Sequence, residues 1–415
     1  MKEIIKLKLS NKKWLRHYQQ IGFVWAIFII SALPFFLTLF AARPELQSSG
    51  NQFLGKLPLI GSPYAAMTKW YTDNVNPVEE LRPLVAFPDS WEGRWLDIDK
   101  NYARFEKYFA DHIGFRDLMI RSKNELDYRL FRTSTRVYFG KESEIYGRPL
   151  IDIQLPMTEV ILDTPEKIEA IHRGILSYTK KLKAQGVTTL FIAPMQKEYF
   201  MPGLLPFFAP RLPEATHFMT LYGQLKSDPA LYFVDVFGII KSIQGIYPIY
   251  YHQDFHWTNM TALAVAKTTT NLIASLENSE TRWQHPTEIQ YLPFTGSDAR
   301  FSARLFASDK MPEPQLIKSW KDIHATLQLD VKKTGLEFET DTLDSPNLLP
   351  PTCMYGNSFS DGMLVAGLPD YFQKFTKISR HLELSKVPDL IKGRCKYLIV
   401  QVLDIQAGHL LSLGQ

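Results

Sequence analysis

The feature that most constrains the fold is a helix that stops on glycine and turns straight into a buried strand. Thr164-Pro165-Glu166-Lys167 reads as a helix start: threonine can cap the first N–H groups, and proline suits the first helical position. Ile168, Ile171, Ile175, Leu176, Tyr178 and Leu182 keep helical spacing, and Gly186 supplies the stop. Val187 to Ala193 is then a buried-strand run closed by Pro194. A helix–glycine–strand unit of this kind is the repeat of an open α/β sheet. The same grammar predicts helices over 217–225 and 259–276 and strands over 231–236 and 397–403. The expected fold class is α/β with a mostly parallel sheet.

Upstream, a helical pattern begins around Trp91, a second helix is expected over 117–131, and 136–139 reads as a short strand. Residues 277–349 are polar, rich in Pro and Thr, and read as an insertion with weak strands. The chain has 415 residues and 45% hydrophobic content, enough for a substantial core in one large domain or two. Its net charge of +4 is local: residues 1–20 carry Lys2, Lys6, Lys8, Lys12, Lys13 and Arg16 against Glu3. That tail alone exceeds the whole chain's charge, so the balance gives no reason to expect nucleic acid.

The tail precedes an uncharged run, residues 21–42. As a helix it would span roughly 33 Å, against a hydrocarbon core of about 30 Å. The expectation is an uncleaved membrane anchor; a cleaved signal peptide, whose apolar region is usually shorter, is the alternative. Basic residues before the span keep the N-terminus in the cytoplasm. The remainder then lies in the periplasm or on the outer face: a stalk over 43–90 and one large domain over 91–415. The two cysteines, Cys353 and Cys395, read as buried thiols, although a bridge is conceivable in an oxidising compartment.

Two stretches carry chemistry. The first is Cys353-Met354-Tyr355-Gly356-Asn357-Ser358, an apolar run ending in a tight turn, with a helix-compatible segment from Met363 to about Lys374. Strand, turn and helix lift a serine hydroxyl out of a sheet and aim unpaired N–H groups at whatever binds there. The second is His252-Gln253-Asp254-Phe255-His256-Trp257. In an extended segment Asp254 and His256 share a face, so the carboxylate can fix the imidazole tautomer while the other ring nitrogen meets Ser358. Thr258 can cap the helix that follows. His252, Asp254 and His256 also alternate as metal ligands would, which leaves a metal-dependent hydrolase as a rival.

Together these residues resemble the SGNH-hydrolase-like alginate O-acetyltransferases of the AlgJ/AlgX type. In that family the Asp-x-His pair precedes the serine, as here. Phe109-Ala110-Asp111-His112-Ile113-Gly114-Phe115-Arg116 looks like the family's F-x-D-H-x-G-F-R segment, and Gly140-Lys141 follows it. Pro194 to Pro206, with Lys197 and Tyr199, looks like the segment after the first core strand. Asn357 stands where the family often has Asp or Thr, Thr261-Ala262 replaces Gly-Ala, and Ser143 to Tyr146 replaces an aromatic stretch. Those departures suggest a divergent branch whose polysaccharide need not be alginate.

The resemblance implies a three-layer SGNH-like sandwich with Ser358 as nucleophile, His256 as base and Asp254 as its orienting carboxylate. Asn357, Arg380, Lys197, Trp257 and Tyr199 are expected at the oxyanion or substrate site. It implies a polysaccharide acceptor and a multispanning membrane-bound O-acyltransferase as the acetyl-donor partner, at the inner membrane. No cofactor is expected, and no Gly-rich phosphate loop is visible. A different class of function is a non-catalytic carbohydrate-binding subunit, whose tyrosines and tryptophans would stack on sugars.

Overall fold

The computed structural model describes residues 83–85, 98–113, 116–284, 287–306 and 308–413. The basic tail, the 21–42 run, the stalk but for 83–85 and the pattern around Trp91 lie outside them. Among the described residues no helix is long and apolar enough to cross a membrane. The chain divides into two compact units, one formed by the residues up to Leu126 with 304–306, the other by the rest.

In the first unit, α1 (Ile98–His112) and α2 (Arg116–Leu126) carry the Asp-His segment. There Asp111 accepts the Val85 N–H at 2.9 Å, and Arg116 donates to the Ala110 carbonyl at 3.1 Å. Arg121, almost fully buried, donates to the Leu305 carbonyl at 2.8 Å.

The second unit is built on a seven-stranded sheet. Its strands are β3 (Thr188–Ile192), β4 (Tyr232–Val234), β7 (Thr326–Gln328), β8 (Leu336–Thr340), β9 (Thr352–Tyr355), β10 (Phe375–Ile378) and β11 (Tyr397–Gln401). They lie in the order β4-β3-β11-β9-β10-β8-β7. The first five run parallel; β8 is antiparallel to β10, and β7 to β8. Leu190, Ile399 and Met354 are partners across the central strands, and all three are inaccessible to solvent. Two further pairs lie outside this sheet: β1 (Val137–Phe139) with β2 (Ile145–Gly147), and β5 (Thr287–Phe294) with β6 (Asp309–Leu316). The polar 277–349 region therefore contributes a separate ribbon and two strands of the main sheet.

The helices of this unit follow from their caps. Thr164 accepts the Lys167 N–H at the head of α4 (Pro165–Ala184), after the short α3 (Leu155–Ile161). Thr216 caps α5 (His217–Ser227), and Asp235 caps α6 (Val236–Ile243) through the Gly238 N–H. Thr258 caps α7 (Asn259–Leu276). Helix α4 packs on β3 and α5; α7 packs on α6 and on α8 (Ser358–Val365). This mixed α/β arrangement with a mostly parallel sheet fits an SGNH-hydrolase-like fold.

Two expectations change. The helix expected from Met363 to about Lys374 instead starts at Ser358 and stops at Val365. Gly367, at φ 90°, reverses the chain, Pro369 follows, and the chain enters β10. Cys353 and Cys395 are both buried but form a disulfide, with Cα atoms 5.7 Å apart. They sit on and just ahead of neighbouring parallel strands, which brings the two side chains within bonding reach.

The disulfide yields a first prediction. The unfolded full chain should show no reactive thiol before reduction and both cysteines after it. Reduction should lower stability by about 2–4 kcal/mol in thermal unfolding. Free thiols in the unreduced protein would contradict the bridge.

Candidate active site

The carboxyl ends of the parallel strands converge on one place, where open α/β sheets bind ligands. β9 delivers Gly356-Asn357-Ser358, β11 delivers 402–406, and β3 delivers 194–199. A Cβ on Gly356 would lie 2.7 Å from Gln401 Oε1 and 2.9 Å from Ser360 Cβ, so only glycine allows this turn. Asn357 Oδ1 accepts the Phe359 N–H at 3.0 Å and opens α8. Ser358 is the first residue of that helix, and its N–H has no acceptor within it.

His256 arrives from the loop ahead of α7. Its Nε2 is 2.7 Å from Ser358 Oγ, and its Nδ1 is 2.7 Å from Asp254 Oδ1. The Asp254–His256 stretch is a run of bends rather than an extended strand. The pair still meets because Asp254 Oδ1 also accepts the His256 backbone N–H at 3.1 Å, a local turn of the kind aspartate favours. Asp254 Oδ2 accepts the Ser297 N–H at 2.8 Å. Burial opposes ionisation of Asp254, but the hydrogen bond and charge of His256 and the two backbone donors outweigh it. Its carboxyl therefore titrates below the ordinary range. An ionised Asp254 places the ring proton on Nδ1, which leaves Nε2 to accept from Ser358.

Two contacts align the loop with the turn. Trp257 Nε1 donates to the Phe359 carbonyl at 3.0 Å, and the two rings meet edge to face with centroids 5.3 Å apart. On α8, a Cβ at Gly362 would come within 2.9 Å of Ala262 Cβ and 3.3 Å of Trp257 Nε1. Glycine there lets α7 and α8 close on each other.

Ser358 opens into a cleft of about 520 Å³ that Phe255, Asp298, Arg380, Ile405 and His409 also line. A neighbouring cleft of about 380 Å³ shares Arg380, His381, Gln406 and His409 with it. Asp298 is almost completely buried, and its Oδ2 has no hydrogen-bond partner. Burial pushes its carboxyl up to about 7; nearby Lys197 opposes the rise, and Asp254 and Glu198 add to it.

Of the residues expected here, Ser358, His256 and Asp254 come together and Arg380 lines the cleft. Trp257 is buried scaffold. Asn357 lines the cleft as well; its N–H goes to Gln401 Oε1 at 3.0 Å and one of its two Nδ2 hydrogens to Gln406 Oε1 at 2.8 Å. Lys197 does not line the cleft. It is inaccessible, pairs with Glu144 at 2.8 Å and donates to the Ile145 carbonyl at 2.6 Å, tying the β3 exit to β2. Tyr199 does not line it either; its ring packs on Phe218, and burial pushes its phenol up.

His252, Asp254 and His256 do not converge as ligands. His252 Nδ1 pairs with Asp309 at 2.6 Å, while Asp254 faces His256. Among the described residues no group of three or more His, Cys, Asp or Glu side chains is placed to hold a metal ion. Sequence reasoning missed Gln401, Ser297, Asp298, Ser360 and Lys377. A polar residue inside an otherwise apolar strand, as at Gln401 and Lys377, was the available signal; Ser297 and Asp298 carried none.

No family model matches the chain, and no curated protein matches it by sequence. Solved structures match at low similarity. The O-acetyltransferase domain of Pseudomonas putida AlgJ has 13% identity and a TM-score of 0.45, over 66% of this chain and 92% of that one. Bacillus cereus PatB1 with a sulfonyl adduct has 14% identity and a TM-score of 0.43, over 58% and 90%. Pseudomonas aeruginosa AlgX has 13% identity and a TM-score of 0.39, over 70% and 69%. These include the types that the motifs resemble. At such TM-scores the functional reading rests on the site's own geometry.

Gly362→Ala should lower stability by about 1–3 kcal/mol in thermal unfolding, because α7 and α8 must separate. Unchanged melting would contradict the close approach. For Asp298 the sign is opposite. A raised carboxyl pKa costs nothing below about pH 4, and the cost grows until pH passes about 7. Asp298→Asn should therefore stabilise the protein at pH 8 by roughly 2–4 kcal/mol in urea unfolding, with the advantage vanishing near pH 4. Equal destabilisation at both pH values would contradict the buried neutral carboxyl.

Proposed function

We propose that this protein is an O-acetyltransferase that moves an acetyl group through an acetyl-serine to hydroxyl groups of an exported polysaccharide. The observation that carries the reading is the unbroken chain from Asp254 through His256 to Ser358, with two contacts of 2.7 Å, at the mouth of the cleft.

The steps follow from that chain. Ser358 Oγ attacks the acetyl carbonyl carbon of the donor, and its proton passes to His256 Nε2. Asp254 holds the ring and stabilises its cation. The oxyanion lies against the Ser358 N–H, with the Arg380 charge lining the same cleft. Collapse expels the donor's leaving group, which takes the proton from His256 and leaves acetyl-Ser358. An acceptor hydroxyl then attacks, gives its proton to His256, and departs as the acetyl ester while Ser358 regains a proton. If water takes the acceptor's place, the same steps make an acetylesterase.

The remaining features fit an export role. The 21–42 run anchors the chain in the inner membrane with the catalytic part in the periplasm or on the outer face. A membrane-bound O-acyltransferase supplies acetyl groups from the cytoplasmic side. The polysaccharide is alginate or another exopolysaccharide. The resemblance of the Asp-x-His-Trp, Gly-Asn-Ser and F-x-D-H-x-G-F-R stretches supports this choice of substrate class.

The test uses the purified full chain and p-nitrophenyl acetate. Ser358→Ala and His256→Ala should each reduce turnover by about 10³-fold or more, and a chelator should leave it unchanged. A deletion strain should lose polysaccharide O-acetyl groups, regained with the wild-type chain but not with Ser358→Ala. Persistent turnover in Ser358→Ala, or loss with chelator and recovery with zinc, would overturn the reading.

A further inference from the structure

We propose that Lys377 and Ser360 form a buried relay that strengthens the Ser358 N–H as the donor to the oxyanion. The inference rests on the acyl-transfer reading above and concerns residues that touch neither donor nor acceptor; both are positioning residues.

Lys377 lies in β10, alongside the strand that delivers the nucleophile, and pairs in register with Met354. Its side chain is 1% exposed, between neighbours on the strand that are just as buried. Its Nζ donates to the Gly356 carbonyl at 2.8 Å and to Ser360 Oγ. Ser360, itself inaccessible, donates its hydroxyl proton to the Asn357 carbonyl at 2.5 Å. The same carbonyl accepts the Ser360 N–H at 2.9 Å.

The Asn357 carbonyl belongs to the peptide whose nitrogen is that of Ser358. Hydrogen bonds to an amide oxygen draw density from the nitrogen, because the peptide bond is delocalised. Bonds in a chain strengthen one another, more so out of water. The lysine therefore polarises Ser360, Ser360 polarises the Asn357 carbonyl, and the Ser358 N–H becomes the better donor. That N–H is also the first of α8, with no helical acceptor, at a residue that lines the cleft.

A strand interior has no packing need for an amine. Burial disfavours the charged form of Lys377, while Asp361 and Glu337 favour it and Arg380 opposes it. Asp361 is 3.9 Å away and its side chain is 60% exposed, so it is a loose counter-charge and not a close partner. The close partners of Nζ are Gly356 and Ser360, both in the nucleophile turn.

The experiment compares the full-length wild type with Lys377→Met, Ser360→Ala and the double variant. It reads kcat and KM for p-nitrophenyl acetate and the affinity for methylboronic acid, which adds to a serine as a tetrahedral anion. Each single variant should lose about tenfold or more in kcat, less than complete removal of an oxyanion donor costs, with KM within about threefold. Boronate affinity should fall in step with kcat. The double variant should lose little beyond the worse single, because the two act in series. Ser360→Ala, a small deletion, keeps the test open if Lys377→Met fails to fold. Unchanged kcat and boronate affinity in Ser360→Ala, or losses carried by KM, or losses that multiply in the double variant, would overturn the relay. Failure of the functional reading is separate: it would show as turnover in the wild type that survives Ser358→Ala.

Discussion

The hydrogen bond between His256 and Ser358 joins residues 102 apart in the chain, and much of the second unit serves to hold its ends together. Neither partner is fixed by its own loop. Ser358 depends on the strand β9, on Gly356 and on the Asn357 cap. His256 depends on Asp254, which in turn depends on the Ser297 N–H from a third segment. Trp257 and Gly362 then lock the two halves, one through a hydrogen bond to the Phe359 carbonyl and the other through close helix contact.

This organisation explains the many buried polar groups around the site. A tight turn at the end of a parallel sheet leaves carbonyls and N–H groups that water cannot reach. Gln401 satisfies the Asn357 N–H, Gln406 the Asn357 side chain, and Lys377 the Gly356 carbonyl. On the neighbouring strand exit, Lys197 does the same for the Ile145 carbonyl and for Glu144. Lysine thus appears twice as a long tie between backbone segments, once under the nucleophile and once away from the cleft. The expectation that Lys197 would meet substrate failed because a lysine's reach does not reveal which way it points.

Much of the scaffold was legible because it is local. Thr164-Pro165, Gly186 and the apolar run after it fix α4 and β3 without reference to the rest of the chain. The Asp254–His256 pair was legible for the same reason, although a turn and not an extended strand brings the side chains together. What was hidden is non-local. β10 fell outside every expected element because Lys377 makes Phe375-Thr376-Lys377-Ile378 look solvated; only its neighbours across the sheet make it a buried strand. Gly367 followed by Pro369 was the missed punctuation. β7 and β8 looked like insertion because their sequence is polar. Ser297 and Asp298 have no pattern that could assign them to a site built from residues 254 to 358.

The account turns on a covalent intermediate at Ser358, and mass spectrometry reads it directly. The full chain is mixed with an activated acetyl ester, quenched in acid within a turnover, digested and mapped. The account predicts one acetyl group on the peptide that contains Ser358, placed on that serine by fragmentation, and its absence in His256→Ala. Acetylation absent from Ser358 in an enzyme that is turning over, or found there equally without His256, would contradict it.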